Sequence, residues 1–421
     1  VLNRVTGSAG VIDPSVILGA LQSNGRVFLI NPSGILFGAG AQIDVAGLVA
    51  TSLNLSNADF LANRLKFTEV PGAGSVINQG NITTGSGGGV YLVGPAVTNS
   101  GIITTPQGEV ILAAGNSVEL VNPGTPNLRV EISAADNEAR NLGQIITESG
   151  RVGIYAGLIN QSGTIRADSA VSEGGKILLR AAKNTTLETG SVTTANGASG
   201  GTVTVQSGDT TLVSGIVEAK GASGQGGSVQ VLGNLVGVIG AASIDASGDT
   251  GGGSVLVGGD FQGRNPDVQN AFRTYVGSDA TIKADAITTG DGGKVVVWSD
   301  DATRAYGTIS ARGGAQSGNG GFVEVSGRSN LDFAARVSTG APSGQAGTLL
   351  LDPQDITVTN TTTTNNSQLN ADTPTAGDPA GAIFFADGGS GNFTLSDESL
   401  EAQTGNIVLQ ATRDITLNNN L

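Results

Sequence analysis

A repeat of 26 residues constrains the fold of this 421-residue chain more than any other feature. Paired glycines followed by an alternating apolar strand recur in segments such as GGKILL, GGTVTV and GGSVQV. The pairs begin at Gly174, Gly200, Gly226, Gly252, Gly292 and Gly320, and Ala346-Gly347 ends the series. Successive pairs are 26, 26, 26, 40, 28 and 26 residues apart, so one interval carries an insertion of about 14 residues.

Each repeat also contains two further short apolar stretches, such as GIVEA at Gly215 and TTLVS at Thr210. Three strands and three turns per 26 residues predict one coil of a right-handed parallel β-helix, an all-β solenoid with a few short insertions outside the repeat. Because successive side chains of a strand face opposite sides, Val229 and Val231 should point inward and stack from coil to coil. The paired glycines would allow positive φ at tight corners.

Several segments leave the repeat. We divide the chain into 1–145, 146–355 and 356–421, with the regular coils in the middle part. The other expectations are a short helix from Asp13-Pro14 to Leu21, a capping box at Ser56 to Asp59, an excursion at Leu128 to Leu142, a helical flap at Arg264 to Tyr275, a loop or loosened coil at Thr357 to Asp378, and strands in AIFFAD and NIVLQATRDITL.

Composition excludes several classes of function. The chain lacks Cys and His, so it has no disulfide, no thiolate metal site and no histidine base, and we predict neither a metal nor a cofactor. The net charge of −14 disfavours nucleic acid as a partner, and no apolar run predicts membrane insertion. Because the chain also lacks Met and begins at Val1, we expect it to be part of a longer exported protein that continues beyond Leu421.

We predict that the chain is not an enzyme and assign no catalytic residue. A β-helical polysaccharide lyase or glycosidase would need stacked carboxylates, and Glu218 and Asp245 form the candidate pair. They belong to a series of outward positions, one per coil, that consists of Arg166, Thr193, Glu218, Asp245, Lys283, Ser310 and Ser338. The neighbouring lysine and the absence of further carboxylates in this series favour a solvated face.

The first 67 residues carry a family resemblance. VLNRVTG at Val1 and the segment from ILGALQSNGRVFLINPSGILF to LANRLKF resemble the haemagglutination-activity domain of filamentous-haemagglutinin-like two-partner secretion exoproteins. Asn31, Pro32, Ser33, Gly34 and Ile35 match the family's Asn-Pro-Asn-Gly-Ile motif, with Ser33 in place of the second Asn. From residues alone this motif predicts a β-turn. Further along, LLLDPQDITV resembles the shafts of large adhesins of this type.

The resemblance implies an export route. Such proteins form right-handed β-helices, cross the periplasm unfolded, and are recognised by an outer-membrane β-barrel transporter. The segment at positions 31–35 would act as a secretion motif, and we predict Asn3 and Arg4 as further contacts of the export domain. The family's other motif, Asn-Pro-Asn-Leu, is absent, so we expect part of the domain to lie upstream.

The function predicted from this resemblance is that of a secreted adhesin on the Gram-negative cell surface. Its β-helical rod would give reach and display faces that bind host cells, glycans or other bacteria. The shaft of a contact-dependent toxin or cytolysin carrier is the alternative, since such proteins share the same N-terminal domain. The lyase or glycosidase is a third interpretation.

Overall fold

The structure, a computed structural model, describes residues 1–7, 13–121, 129–133, 136–359 and 394–418. The chain forms two compact units, one of Val1–Ala195 with Gln206–Gly208 and the other of Asn196–Val205 with Asp209–Leu421. Within each unit most strands pair in parallel with the equivalent strand of the next coil, so the predicted all-β, right-handed parallel β-helix is confirmed. The boundaries 1–145, 146–355 and 356–421 stay a prediction.

The first unit is built from short strands with one short helix. Its elements are β1 (Leu2–Arg4), β2 (Ser15–Ile17), β3 (Ala20–Ile30), β4 (Ile35–Phe37), β5 (Gln42–Thr51), β6 (Asn54–Leu55), α1 (Asn57–Leu61), β7 (Leu65–Thr68), β8 (Val76–Asn78), β9 (Asn81–Thr84), β10 (Gly89–Gly94), β11 (Ala96–Asn99), β12 (Ile102–Thr104), β13 (Glu109–Ala114), β14 (Ser117–Val121), β15 (Arg129–Ser133), β16 (Glu138–Asn141), β17 (Gln144–Ile146), β18 (Arg151–Gln161), β19 (Thr164–Arg166), β20 (Lys176–Leu187) and β21 (Val192–Thr194).

The second unit continues the same plan. Its elements are β22 (Thr202–Ser207), β23 (Thr210–Val213), β24 (Ile216–Glu218), β25 (Ser228–Leu232), β26 (Leu235–Val238), β27 (Ser243–Asp245), β28 (Ser254–Val257), a 3₁₀ turn (Phe261–Gly263), β29 (Arg273–Val276), β30 (Thr281–Lys283), β31 (Lys294–Ser299), β32 (Ala302–Ala305), β33 (Thr308–Ser310), β34 (Phe322–Gly327), β35 (Asn330–Phe333), β36 (Arg336–Ser338), β37 (Thr348–Leu351), β38 (Asp355–Thr359), β39 (Thr394–Ser396), α2 (Asp397–Glu401), β40 (Asn406–Leu409) and β41 (Asp414–Leu417).

Columns of branched apolar side chains, paired in register from coil to coil, fill both cores. In the first unit Ile43, Ile82, Ile103, Ile145 and Ile165 pair in register from coil to coil, and each is at most 1% exposed. In the second unit an equivalent column consists of Val229, Val255, Val295, Val323 and Leu349. Each buried side chain of this size stabilises the fold by about 1.5–3 kcal/mol, so the columns supply much of the driving force.

The paired glycines are required for a different reason from the one the sequence suggested. None of the pairs, all of which lie in described residues, has a positive φ. A Cβ on Gly226 would lie 1.8 Å from the Ala246 carbonyl oxygen, and one on Gly252 would lie 2.0 Å from that of Ala284. The corners therefore need glycine because adjacent backbones approach too closely for any side chain.

The outward series contains two errors. Thr193 pairs with Ile165 and is fully buried, while Thr194 takes the position next to Arg166. The prediction placed this strand one residue out of register, and such a slip exchanges the inner and outer faces. Ser310 keeps its place in the series but is buried, because its hydroxyl donates a hydrogen bond to Asp285.

The predicted helix from Asp13 to Leu21 is wrong. β2 occupies Ser15–Ile17 and pairs in parallel with β4, and β3 begins at Ala20. Pairing with the next coil outweighs the local capping signal, since isolated short helices are only marginally stable. The capping box is confirmed, because the Ser56 hydroxyl accepts a hydrogen bond from the Asp59 N–H at 3.0 Å and α1 follows.

A small antiparallel sheet, which the sequence did not predict, packs on the outside of the first unit. It has the strand order β15, β14, β7, β6. Its inner face shares an apolar cluster with outward-facing side chains of the coils, including Phe28, Tyr91 and Ile111. The predicted excursion at Leu128 to Leu142 is therefore half right: β15 leaves the coils, whereas β16 pairs in parallel with β11 and β18.

Residues 258–272, here called the strap, connect β28 to β29 and account for the long repeat interval. The predicted helical flap at Arg264 to Tyr275 is wrong in conformation. The strap contains one 3₁₀ turn, Phe261–Gly263, and Arg273–Val276 is a strand. Short side-chain hydrogen bonds set this shape: the Asp260 carboxylate accepts from the Phe261 N–H at 2.7 Å and from the Asn265 amide at 2.8 Å.

Most of the predicted loop at Thr357 to Asp378 and the AIFFAD segment lie outside the described residues. Thr357–Thr359 belong to β38, which pairs in parallel with β39 and β41. NIVLQATRDITL forms β40 and β41 as predicted. Among the described residues there is no helix with the length and apolar character needed to cross a membrane.

Candidate functional site

The segment Asn31 to Ile35 forms a tight turn between β3 and β4, as predicted. The Gly34 N–H donates to the Asn31 carbonyl oxygen at 3.0 Å, which closes a β-turn. Gly34 has a φ of +109°, a conformation that side chains disfavour. A Cβ at this position would lie 2.9 Å from the Ser75 carbonyl oxygen, so the turn requires glycine for two independent reasons.

The Asn31 side chain joins this turn to the first coil. It is fully buried, and its amide nitrogen donates to the Asp13 carbonyl and the Ser15 hydroxyl, each at 2.9 Å. Its amide oxygen accepts from the Ser33 N–H at 3.0 Å. Asparagine can make all three bonds because its short planar amide carries both donor hydrogens and an acceptor oxygen. Asn31 therefore fixes both the turn and the neighbouring strand.

The rest of the motif also faces the protein interior. The Pro32 carbonyl oxygen accepts from the Gly74 N–H at 2.8 Å, and Ile35 is 2% exposed in the core. Ser33 is half-buried. In the folded unit, the motif therefore presents little surface to a partner, and its side chains would become accessible only before the coils close.

Asn3 and Arg4 contact different parts of the first unit. The Asn3 amide donates to the Phe28 carbonyl oxygen at 3.3 Å. Arg4 donates to the Leu55 carbonyl at 2.6 Å and to the Asn57 side chain at 3.0 Å, so it holds β6 and the start of α1 against β1. The structure does not bring either residue into contact with the Asn31 side chain, and their role in export stays a prediction.

A ladder of buried amides, missed at the sequence level, runs along one corner of the first unit. The amide nitrogens of Asn78, Asn99 and Asn141 each donate to the amide oxygen of the next rung at 2.8 Å, and Gln161 is the last rung. All four are fully buried. Such chains are stabilising because every member is satisfied in a low-dielectric interior. The recurring Asn/Gln-x-Gly pattern, as in Asn99-Ser100-Gly101, was the available signal.

A second polar cluster lies on the outer face of the same unit. The buried Tyr91 hydroxyl donates to Glu109 at 2.7 Å, and Arg151 pairs with the same carboxylate at 2.8 Å. Burial and the Glu109 charge raise the pKa of Tyr91, so the phenol stays protonated. A depression of about 320 Å³ opens beside them, with Arg26 at its edge. The cluster holds the Glu109 carboxylate in a fixed network with a phenol and a guanidinium.

The candidate carboxylate pair Glu218 and Asp245 occupies neighbouring rungs, as the sequence predicted. Each has its own partner. Glu218 accepts from the Asn196 amide and the Lys220 ammonium, both at 2.8 Å, and Asp245 accepts from the Ser247 N–H at 2.9 Å. Within the described residues, no three His, Cys, Asp or Glu side chains converge to hold a metal ion.

A groove of about 420 Å³ lies beside Asp245 in the second unit. Its lining alternates cations with anions over several coils and includes Lys220, Lys283, Asp249 and the ion pair of Arg312 with Asp285. Ile287 is 54% exposed there and adds an apolar contact surface. Alternating charges next to a small apolar patch suit a ligand with several hydroxyl or charged groups.

Comparisons with known proteins agree with this architecture. A family model, the TPS secretion domain, matches residues 1–194. The crystal structure of the HMW1 secretion domain from Haemophilus influenzae is similar, with a TM-score of 0.59 and 30% identity, covering 77% of this chain and 81% of that one.

Two curated relatives also match, both heme/hemopexin-binding proteins of Haemophilus influenzae. The first, from strain Rd, is 34% identical over 170 residues, which are 38% of this chain and 18% of the relative. The second is 38% identical over 78 residues, which are 18% of this chain and 8% of the relative. The chain therefore spans less than a fifth of the length of these relatives.

Proposed function

Because the chain belongs to the family of two-partner secretion exoproteins, whose TPS secretion domain it carries, we propose that it directs export and forms part of the shaft of a secreted adhesin. The partner in export would be the outer-membrane β-barrel transporter of the pair. The observation that supports this most is the Asn31 turn, whose hydrogen-bonding side chain lies buried once the first coils are formed.

The buried motif favours recognition before folding. A transporter that receives an unfolded chain would meet Asn31, Ser33 and Ile35 as accessible side chains, and the same residues would then close the turn outside the cell. One segment would thus serve export first and folding afterwards. This sequence of events needs no folded binding surface on the first unit.

We assign adhesion to the exposed faces of the second unit, with the groove beside Asp245 as the foremost surface. Glycans are the ligand class that its alternating charges and exposed Ile287 suit best. The proposal includes no catalysis, because Glu218 and Asp245 are each held by neighbouring groups rather than aimed at a shared space. Display at the cell surface belongs to the same proposal.

The names of the curated relatives raise haem as another ligand. Haem iron in proteins is usually held by His, Met, Cys or Tyr, and of these this chain has only Tyr. All four tyrosines, at positions 91, 155, 275 and 306, are buried or half-buried. Burial is the largest cause that raises the pKa of each, to about 12 for Tyr155. A phenol that stays protonated is a poor iron ligand, so we favour glycans over haem.

The folded chain is expected to bind to a glycan array or to whole cells saturably, without releasing reducing ends. Lys283→Glu, which adds negative charge inside the groove, is expected to weaken binding about tenfold, equivalent to ~1.4 kcal/mol. Lys66→Glu makes the same change on the antiparallel sheet of the first unit and should leave binding unaltered. Release of reducing or unsaturated ends that Glu218→Ala abolishes would instead favour a glycan-cleaving enzyme.

A further inference from the structure

The strap crosses the outer face of the coils that follow it in sequence. Its first contact is with the coil of β31, where Asp260 forms an ion pair with Lys294. Val268 packs against an outward apolar cluster of Leu256, Val296 and Trp298. Gly263, with a φ of +61°, lies so close to Trp298 that a Cβ would be 2.5 Å from the indole nitrogen.

The strap then reaches two coils further. Phe261 packs edge-to-face on Phe322 with ring centroids 5.8 Å apart. The Gln262 N–H lies 3.2 Å from both carboxylate oxygens of Glu324, which is fully buried. The Gln262 side chain donates to Asp352 at 2.6 Å, beyond the end of β37. A single turn of chain thus joins β28 to the next three coils, about 14 Å along the stack at one strand spacing each.

This arrangement departs from the ordinary energetics of a solenoid. In repeat proteins each coil contacts only its neighbours, so stability is a sum of local terms and the ends fray independently. The partners of Gln262 lie 62 and 90 residues further along the chain. The full set of strap contacts can form only when the coils of β31, β34 and β37 are all in place.

We propose that the strap is a clasp that closes last over three completed coils and makes them open and close as one cooperative unit with the coil of β28. If the coils fold one after another along the chain, each of these coils could still unfold by itself until residue 352 is in position. Closure of the strap would then lock the whole block.

Native-state hydrogen exchange of the full chain tests the clasp, with Gly263→Ala as the variant. The added methyl meets Trp298 and should open the strap, and amides in β31, β34 and β37 should then exchange about tenfold faster, all by the same factor. Gly240→Ala is the matched control, because Gly240 also has a positive φ, +55°, but faces open space. Its effect should stay local.

Two results would overturn the proposal. Faster exchange confined to the strap and β31 would mean that coupling reaches only the neighbouring coil. Equal effects of Gly263→Ala and Gly240→Ala on the three coils would mean that backbone strain, rather than opening of the clasp, is responsible.

The pH dependence of exchange gives a second arm of this test. Burial under the strap raises the pKa of Glu324 to about 7, with the nearby Asp352 acting in the same direction and Lys294 opposing it. The stability that comes with this raised pKa is fully present below the ordinary value of 4.5, and it is lost as the pH rises through about 7. The three coils should therefore open more readily at pH 8 than at pH 5, after correction for intrinsic exchange.

Glu324→Gln keeps a neutral group of the same size under the strap. This variant should reduce the additional opening at pH 8 and leave only the contribution of Asp352, whose pKa burial also raises, while Glu188→Gln in the first unit should not affect it. An unchanged pH dependence in Glu324→Gln would contradict a role for this carboxyl in closure.

Discussion

Val229→Asp is expected to destabilise the second unit by at least about 4 kcal/mol, the largest stability effect among single substitutions considered for this chain. Val229 is fully buried, and its partner in the next coil is Val255, followed by Val295. A carboxylate there has no cation or donor within the column, so burying it costs several kcal/mol or forces it to take up a proton. The carboxylate also replaces two packed methyl groups, so their apolar burial is lost.

Denaturant unfolding of the purified chain measures the effect. Gln230→Asp is the matched control, since it places the same side chain one residue along the strand on the outer face. We expect a change within about 0.5 kcal/mol for this control, as for most surface substitutions. Comparable losses for both variants would contradict the assigned inner and outer faces of β25.

Asn31→Ala is expected to lower secretion of the precursor about tenfold or more, which corresponds to losing ~1.4 kcal/mol or more of recognition. The alanine also removes three hydrogen bonds, and the Ser33 N–H and the Asp13 carbonyl lose their side-chain partner. That loss should cost the folded unit about 1–3 kcal/mol. Export and folding are thus both affected, and the experiment must separate them.

Secretion into the medium and thermal stability of the purified chain are measured in parallel for three variants. Asn54→Ala removes an exposed asparagine from the same unit and should alter neither quantity. Ser33→Asn restores the residue of the family motif and should keep secretion intact. If Asn31→Ala is secreted in undiminished amount, the motif has no part in export and serves only as a turn.

The core could be predicted from the sequence because its residues obey two regular patterns, the alternation of side chains along a strand and the 26-residue repeat. Alternation within a strand and the 26-residue repeat together place Val229 and Val231 inside, and the structure confirms both. The capping box at Ser56 was predictable for a similar reason, since its hydrogen bond joins residues only three apart. Local chemistry and regular repetition are both visible in a single sequence.

The errors lie where distant parts of the chain decide the local conformation. Pairing of β2 with β4 overrides a helix signal at Asp13, and contacts 62 and 90 residues away determine the shape of the strap. Phe67 of the antiparallel sheet packs in one apolar cluster with Phe28 of the coils, and the two residues lie on separate strands. No short segment of the sequence contains both residues of such a contact.

The candidate site was predicted in part. The turn at Asn31 and the neighbouring positions of Glu218 and Asp245 follow from turn chemistry and from the repeat. The amide ladder was not predicted, because the amides that bond to one another lie 20 to 42 residues apart in the chain. Its signal is the return of Asn or Gln two residues before glycine in successive coils, which becomes meaningful only once the coils are aligned.

The most direct test of export by two-partner secretion is the dependence of secretion on the transporter. Cells that produce the full-length precursor with or without its outer-membrane partner are compared, and the chain is quantified in the medium and in the periplasm. We predict that the chain reaches the medium only when the partner is present. Equal amounts in the medium without the partner would contradict the assignment of residues 1–194 as a working secretion domain.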